Sequence, residues 1–178
     1  MRKVKHVLLY SLIIIATIIS TFVVSGVDPT VNRFHSKENG FSILLPRGWS
    51  VVENPRAAIH VRAPRESMDD QFQANINVMM TDLPNAISMD TFFDANREEL
   101  LRVMPLATNM VEGVILAGFV QGRLLTFENK VEGINLKSMS AVFKKDTRFY
   151  SVNCTAEEAK ISKYLPIFKK VIQSLRID

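Results

Sequence analysis

From Val7 to Val27 the chain has no charged residue and no proline. As a helix this run would rise about 31 Å, against a bilayer hydrocarbon core of about 30 Å. Beyond it the apolar positions come in shorter patterns. Asn39-Gly40 is a turn signal, Phe41 to Leu45 reads as a strand closed by Pro46-Arg47-Gly48, and Trp49 to Val52 resumes extended structure. Ile59, Val61 and Ala63 alternate with His60 and Arg62, the period of a half-buried strand. Phe72 to Met80 alternates most cleanly, with Phe72, Ala74, Ile76, Val78 and Met80 on one face and Gln71, Gln73, Asn75 and Asn77 on the other. Asp82-Leu83-Pro84-Asn85 ends it in turn residues.

The period then changes. Ser88 is a good N-cap, and Phe93, Leu100 and Met104 recur at helical spacing with Phe92 and Val103 alongside. Asp90 favours the positive helix start, Arg102 the negative end, and Pro105 stops the helix. Three β-rich runs follow, Met110–Leu116, Arg123–Lys130 and Ile134–Phe143, punctuated by Gly118, Gly122 and Gly133. Lys144 to Thr147 reads as a hairpin turn into Phe149–Cys154. Thr155-x-x-Glu158 has the form of a capping box opening a last helix. That helix has the stripe Ile161, Leu165, Phe168, Ile172 and Leu175, flanked by Tyr164 and Val171, and Pro166 is expected to break it into two pieces.

Consecutive strands with short turns predict an antiparallel meander. Several strands are apolar on both faces, as in Ile134 and Leu136 against Met139, Ala141 and Phe143. The expected class is α+β, a mainly antiparallel sheet flanked by helices on both faces. The predicted organisation is 1–27 as signal-anchor or signal peptide, 28–37 as a polar connector and 38–178 as a single domain.

Charge refines the N-terminal reading. Arg2, Lys3 and Lys5 precede the apolar run and Asp28-Pro29 follows it, which keeps the start in the cytoplasm and sends the rest across. Val24-Ser25-Gly26 permits a cut before Val27, so a cleaved signal peptide stands as the alternative to an anchor. The run exceeds the usual signal-peptide length of about 7–15 residues, which favours the anchor. No cysteine lies in or just after it, which excludes a lipid-modified N-terminus. Three of the four formal positive charges belong to Arg2, Lys3 and Lys5 with no acid before Asp28, leaving +1 for the remainder. That balance gives no support to nucleic-acid binding, which needs a concentrated basic face.

Candidate chemistry is sparse. His60, with Arg56, Arg62 and Arg65 near it in sequence, falls on the outward side of its strand. It reads as a solvated face rather than an anion-binding patch. His6 and His35 lie elsewhere, and the three histidines have no zinc spacing. Asp90, Asp94 and Glu98 form an i, i+4, i+8 stripe on one helix. Hard cations gather oxygens from a tight loop or several elements, and Arg97 and Arg102 lie close, with Glu98–Arg102 a favourable pair. Cys154, the only cysteine, alternates with Val152 and Tyr150 and reads as a small core residue. A nucleophilic Cys154 would need a histidine or a helix N-terminus beside it. Trp49 reads as a core plug rather than a stacking surface. No nucleophile elbow, phosphate loop or dinucleotide fingerprint occurs. The expected catalytic, cofactor and metal sites are therefore none.

The stretch Ser36-Lys37-Glu38-Asn39-Gly40-Phe41-Ser42-Ile43-Leu44-Leu45-Pro46-Arg47-Gly48-Trp49 resembles the opening of the PsbP-like family. Tyr150 to Ala156 and Pro166-x-Phe168-x-x-Val171-Ile172-x-Ser174-Leu175 resemble its last strand and closing helix. The resemblance runs from about Phe34 to the end and implies an α/β/α sandwich with non-enzymatic roles in binding, assembly or stabilisation of complexes. Its matching residues are structural. The lipid-attachment cysteine typical of some cyanobacterial relatives is absent, so a photosystem role gains no support. The expectation is a non-catalytic extracytoplasmic module, tethered through residues 7–27, with a protein partner at the membrane surface. The alternatives are a secreted soluble ligand binder after signal cleavage and, third, an enzyme using Cys154.

Overall fold

The computed structural model describes residues 33–68, 70–83 and 87–178. The apolar run Val7–Val27 lies outside these residues, as do residues 28–32 of the connector, His6, and Pro84-Asn85 of the expected turn. Among the described residues no helix is long and apolar enough to cross a membrane.

Among the described residues there are two antiparallel sheets and two α-helices. β1 (Arg33–Ser36), β2 (Phe41–Leu44) and β10 (Arg176–Ile177) form a small sheet in the order β1-β2-β10. Residues 33–36, read from sequence as connector, are thus a strand. Gly40 at φ +64° closes the β1–β2 turn, as Asn39-Gly40 predicts.

The large sheet comprises β3 (Ser50–Val52), β4 (Ile59–Arg62), β5 (Asn75–Asp82), β6 (Thr108–Ala117), β7 (Val120–Val131), β8 (Ile134–Lys145) and β9 (Arg148–Glu157). Its order is β3-β4-β5-β9-β8-β7-β6. The meander β6 to β9 is as predicted, and β9 pairs back onto β5 across eight residue pairs. β5 begins three residues later than expected and runs on to Asp82, whose carboxylate takes two bonds from Arg148 at 2.6 and 2.8 Å. Gly122 does not punctuate; it lies within β7, where an added Cβ would meet the Phe143 ring and the Val142 carbonyl at 2.6 Å.

α1 spans Met89–Val103, and the amide of Thr91 donates to Ser88 Oγ at 3.0 Å, the expected cap. α2 spans Ile161–Gln173 after a short 3-10 turn, Glu158–Lys160. Here the sequence reading needs two corrections. Thr155 is no cap: it lies in β9, buried, with its hydroxyl on Ser138 at 2.9 Å, and no side chain caps α2. Nor does Pro166 split the helix. It sits inside α2, in its first half and on the exposed face, and the helix continues through it to Gln173.

Two apolar clusters result, and they use alternate residues of the same strands. One joins Tyr164, Phe168, Val171 and Ile172 of α2 to Val78, Ala141, Val152 and Cys154 of the sheet and to Phe41 and Ile43 of β2. The other joins Phe92, Phe93 and Leu100 of α1 to Leu125, Phe127, Val142 and Phe149. Phe92 stacks on Phe149 with ring centres 4.0 Å apart. Trp49 is half-buried and packs edge-to-face with Tyr164 and Phe168, ring centres 5.9 and 6.4 Å away, as a plug would.

Candidate interaction surface

Strand register assembles residues that sequence reading kept apart. His60 on β4 lies opposite Asn77 on β5, Asn77 opposite Asn153 on β9, Asn153 opposite Ser140 on β8, and Ser140 opposite Leu125 on β7. A second row runs beside it: Arg62, Asn75, Thr155, Ser138 and Phe127. On this face the β4–β5–β9–β8 part is polar, and the apolar remainder lies beneath α1.

His60 is the main correction. It is not a solvated outward residue but only 5% exposed. Its Nε2 accepts from Arg62 Nε at 2.9 Å, which leaves Nδ1 to carry the proton and donate to Asn77 Oδ1. Asn77 Nδ2 in turn donates to Asn75 Oδ1 at 3.3 Å, and Ser140 Oγ donates to Asn153 Oδ1 at 2.6 Å. Among the described residues every buried side-chain nitrogen and oxygen has a partner. The rows hold two internally bonded groups, Arg62–His60–Asn77–Asn75 and Ser140–Asn153, and sheet pairing brings together only Arg62 of the expected His60, Arg56, Arg62 and Arg65 group. Arg56 and Arg65 are exposed.

Burial lowers the His60 pKa from 6.5, the Asn77 bond raises it in part, and the Arg62 charge lowers it further. A histidine harder to protonate folded than unfolded contributes stability above its unfolded pKa. That stability is lost as pH falls, because the unfolded chain then binds the proton more readily. Protonation also sets an N–H against the Arg62 donor. Denaturant midpoints should fall as pH drops below about 6.5, and His60→Gln should remove that portion of the slope. A variant with an unchanged slope between neutral pH and pH 5 would contradict this assignment.

Between α1 and the sheet lies a cavity of about 20 Å³ bordered by Asn96, Leu100, Leu125, Ser140 and Asn153. That is room for about one water, whereas ligand pockets measure about 300–1,000 Å³. Cys154 is fully buried and burial pushes its thiol up, away from the thiolate a nucleophile needs. The acidic stripe on α1 is used in ion pairs. Asp90 meets Arg123, and Asp94 lies 3.9 Å from Arg97. Arg102 binds Glu99 at 2.5 and 2.8 Å in place of the expected Glu98. Among the described residues no group of three or more His, Cys, Asp or Glu could hold a metal.

The sheet edge offers more. β6 is an edge strand, and Val111, Val114 and Leu116 are 63%, 57% and 56% exposed, with Phe119 fully so in the following turn. Seven large apolar side chains are strongly exposed among the described residues, and six of them fall between Leu101 and Phe119. The strand has no lysine or proline. Its single charge, Glu112, is held by Arg97 at 3.0 Å and Arg123 at 3.1 Å. A bulge between Thr108 and Val111 disturbs one end and leaves Val111 to Ala117 in regular register. The opposite edge, β3, is only three residues long, one of the usual protections of an edge.

Comparison with solved structures shows the class of fold. A cyanobacterial PsbP from Synechocystis sp. PCC 6803 superposes with a TM-score of 0.64 at 14% identity, over 83% of this chain and 92% of that one. LpqN of Mycobacterium tuberculosis, described as involved in cell envelope biogenesis, gives 0.64 at 13% over 84% and 86%. PA94 of Pseudomonas aeruginosa, a protein of unknown function, gives 0.60 at 13% over 83% and 97%. The chain thus has the PsbP-like fold. No family model matches the sequence, and no curated protein matches it either.

Proposed function

We propose that this chain is a non-catalytic, extracytoplasmic binding module held at the membrane by residues 7–27, and that its β6 edge receives an extended segment of an envelope protein. In this reading the domain is an α/β/α sandwich with α1 on one face and α2 on the other. The observation that carries the proposal is the β6 edge, a regular strand with unpaired backbone groups, exposed valines and leucine and a single charge, Glu112, already paired with Arg97 and Arg123. Such an edge is a template for another strand: main-chain bonds give affinity and alternate side chains give selectivity. Among the described residues the buried polar side chains are all partnered within the domain, which fits a scaffold. A structural neighbour involved in cell envelope biogenesis fits the same setting.

Replacing Val114 and Leu116 together by lysine tests it in the full-length protein. Both side chains are more than half exposed, so the melting temperature should stay within a few degrees. Burying either side chain against a partner is worth about 1.5–3 kcal/mol. The partner recovered from membranes should therefore fall by well over tenfold. Undiminished recovery by the folded variant would remove the edge from the proposal.

A further inference from the structure

Charge is segregated across this domain. Residues 33–51 and 161–176, which hold β1, β2, most of β3 and all of α2, carry seven lysines and arginines and one acid, Glu38. The rest of residues 33–178 carries twelve cations and sixteen acids. The cations gather where the small sheet meets the end of α2. Arg33 Nη1 donates to the Ser174 carbonyl at 3.1 Å and to Ser42 Oγ at 3.0 Å. Arg176 pairs with Ser42 across β10 and β2, and its charge is felt at Arg33. Lys169 and Lys170 are exposed towards the end of α2, Lys170 in its last turn. A helix C-terminus attracts cations, and Arg33 already occupies that carbonyl. Among the described residues no ion pair involves Lys169, Lys170 or Arg176.

The polypeptide enters at this same pole. Arg33 opens β1, five residue steps after Asp28, which follows the apolar run. At about 3.3–3.6 Å per residue that link spans at most roughly 18 Å. Whatever holds Val7–Val27 also holds the pole within that reach.

We propose that the pole around Arg33, Lys169, Lys170 and Arg176 rests on anionic lipid headgroups and sets the orientation of the domain on the bilayer. The inference rests on the anchored reading of residues 7–27. Tethering makes the contact intramolecular, so a few unpaired cations suffice where a free domain would not bind. Salt must weaken it, since the screening length is about 8 Å at physiological ionic strength and about 3 Å at 1 M.

Trp49 is the only tryptophan and lies against Tyr164 and Phe168 of α2, so it reports on this face. The experiment measures energy transfer from Trp49 to a dansyl-labelled lipid. The full-length protein is reconstituted into liposomes of phosphatidylcholine alone or mixed equally with phosphatidylglycerol. Transfer should be greater in the mixed vesicles and fall to the phosphatidylcholine value at 1 M NaCl. Lys169→Gln and Lys170→Gln should each lower the docked-to-free ratio about fivefold, the factor that about 1 kcal/mol per lysine at an anionic surface represents. Lys130→Gln, outside the pole, should change nothing. Equal transfer in both vesicle types, with protein that floats with them, would overturn the lipid contact and leave the anchor intact; a protein partner at the pole would give this result. Protein that fails to float with either vesicle would overturn the anchored reading and this inference with it.

Discussion

Phe168→Ala should cost about 3–5 kcal/mol, the range for emptying a well-packed aromatic site. Phe168 is wholly buried at the centre of α2. Its ring stacks on Tyr164 with centres 6.0 Å apart and packs edge-to-face with Trp49. It belongs to the cluster that joins α2 to both sheets through Ile43 and Val152. Removing it opens a cavity among rigid neighbours held in two different sheets, which limits collapse. Against a total stability of about 5–15 kcal/mol for a domain of this kind, the loss is a large fraction. Urea unfolding followed by Trp49 fluorescence should show a lower midpoint with an unchanged slope. Leu106→Ala, at a residue 68% exposed, should move the midpoint by no more than about 0.5 kcal/mol equivalent. Equal effects of the two substitutions would mean that α2 does not pack as described.

Gly122→Ala should destabilise by about 1–3 kcal/mol, although alanine suits a strand no worse than glycine. The reason is contact. A Cβ at 122 would lie 2.6 Å from Phe143 Cδ1 and 2.6 Å from the Val142 carbonyl oxygen. The ring is wholly buried and the carbonyl belongs to a central strand, so neither yields cheaply. Adding Phe143→Leu should recover part of the loss, because it relieves the ring contact and leaves the carbonyl contact in place. The two substitutions should then be non-additive in a double-mutant cycle. A neutral Gly122→Ala would contradict the register between β7 and β8.

Much of this architecture is legible in the chain because alternation and helical spacing are local. The strand through Met80, though it starts at Asn75 and not at Phe72, the Ser88 cap and the meander from Met110 to Cys154 lie where local rules place them. The failures share a cause, since each depends on what lies across the sheet. Thr155 and Glu158 match a cap in spacing, but Thr155 is occupied by Ser138 from a neighbouring strand. His60 alternates correctly, yet alternation gives a face and not its cover. The clue was available in Asn75 and Asn77, which face the same way on the strand that pairs with β4. A polar row opposite a histidine and an arginine points to an internal network. β10 is two residues long and carries no pattern that predicts a strand. The β6 edge is visible as an apolar run, but its place at the edge follows from β9 inserting between β5 and β8, a long-range pairing.

Cross-linking from the edge itself tests the binding proposal most directly. A photoreactive residue in place of Val114 in the full-length protein, irradiated in intact cells, should give one discrete adduct with a different membrane or envelope protein. The same residue in place of Ser162, exposed on α2, should not give that adduct. An adduct at twice the chain's own mass would show that the edge pairs with a second copy. Val114 and Ser162 giving the same adducts, or Val114 giving none, would contradict a partner strand at β6.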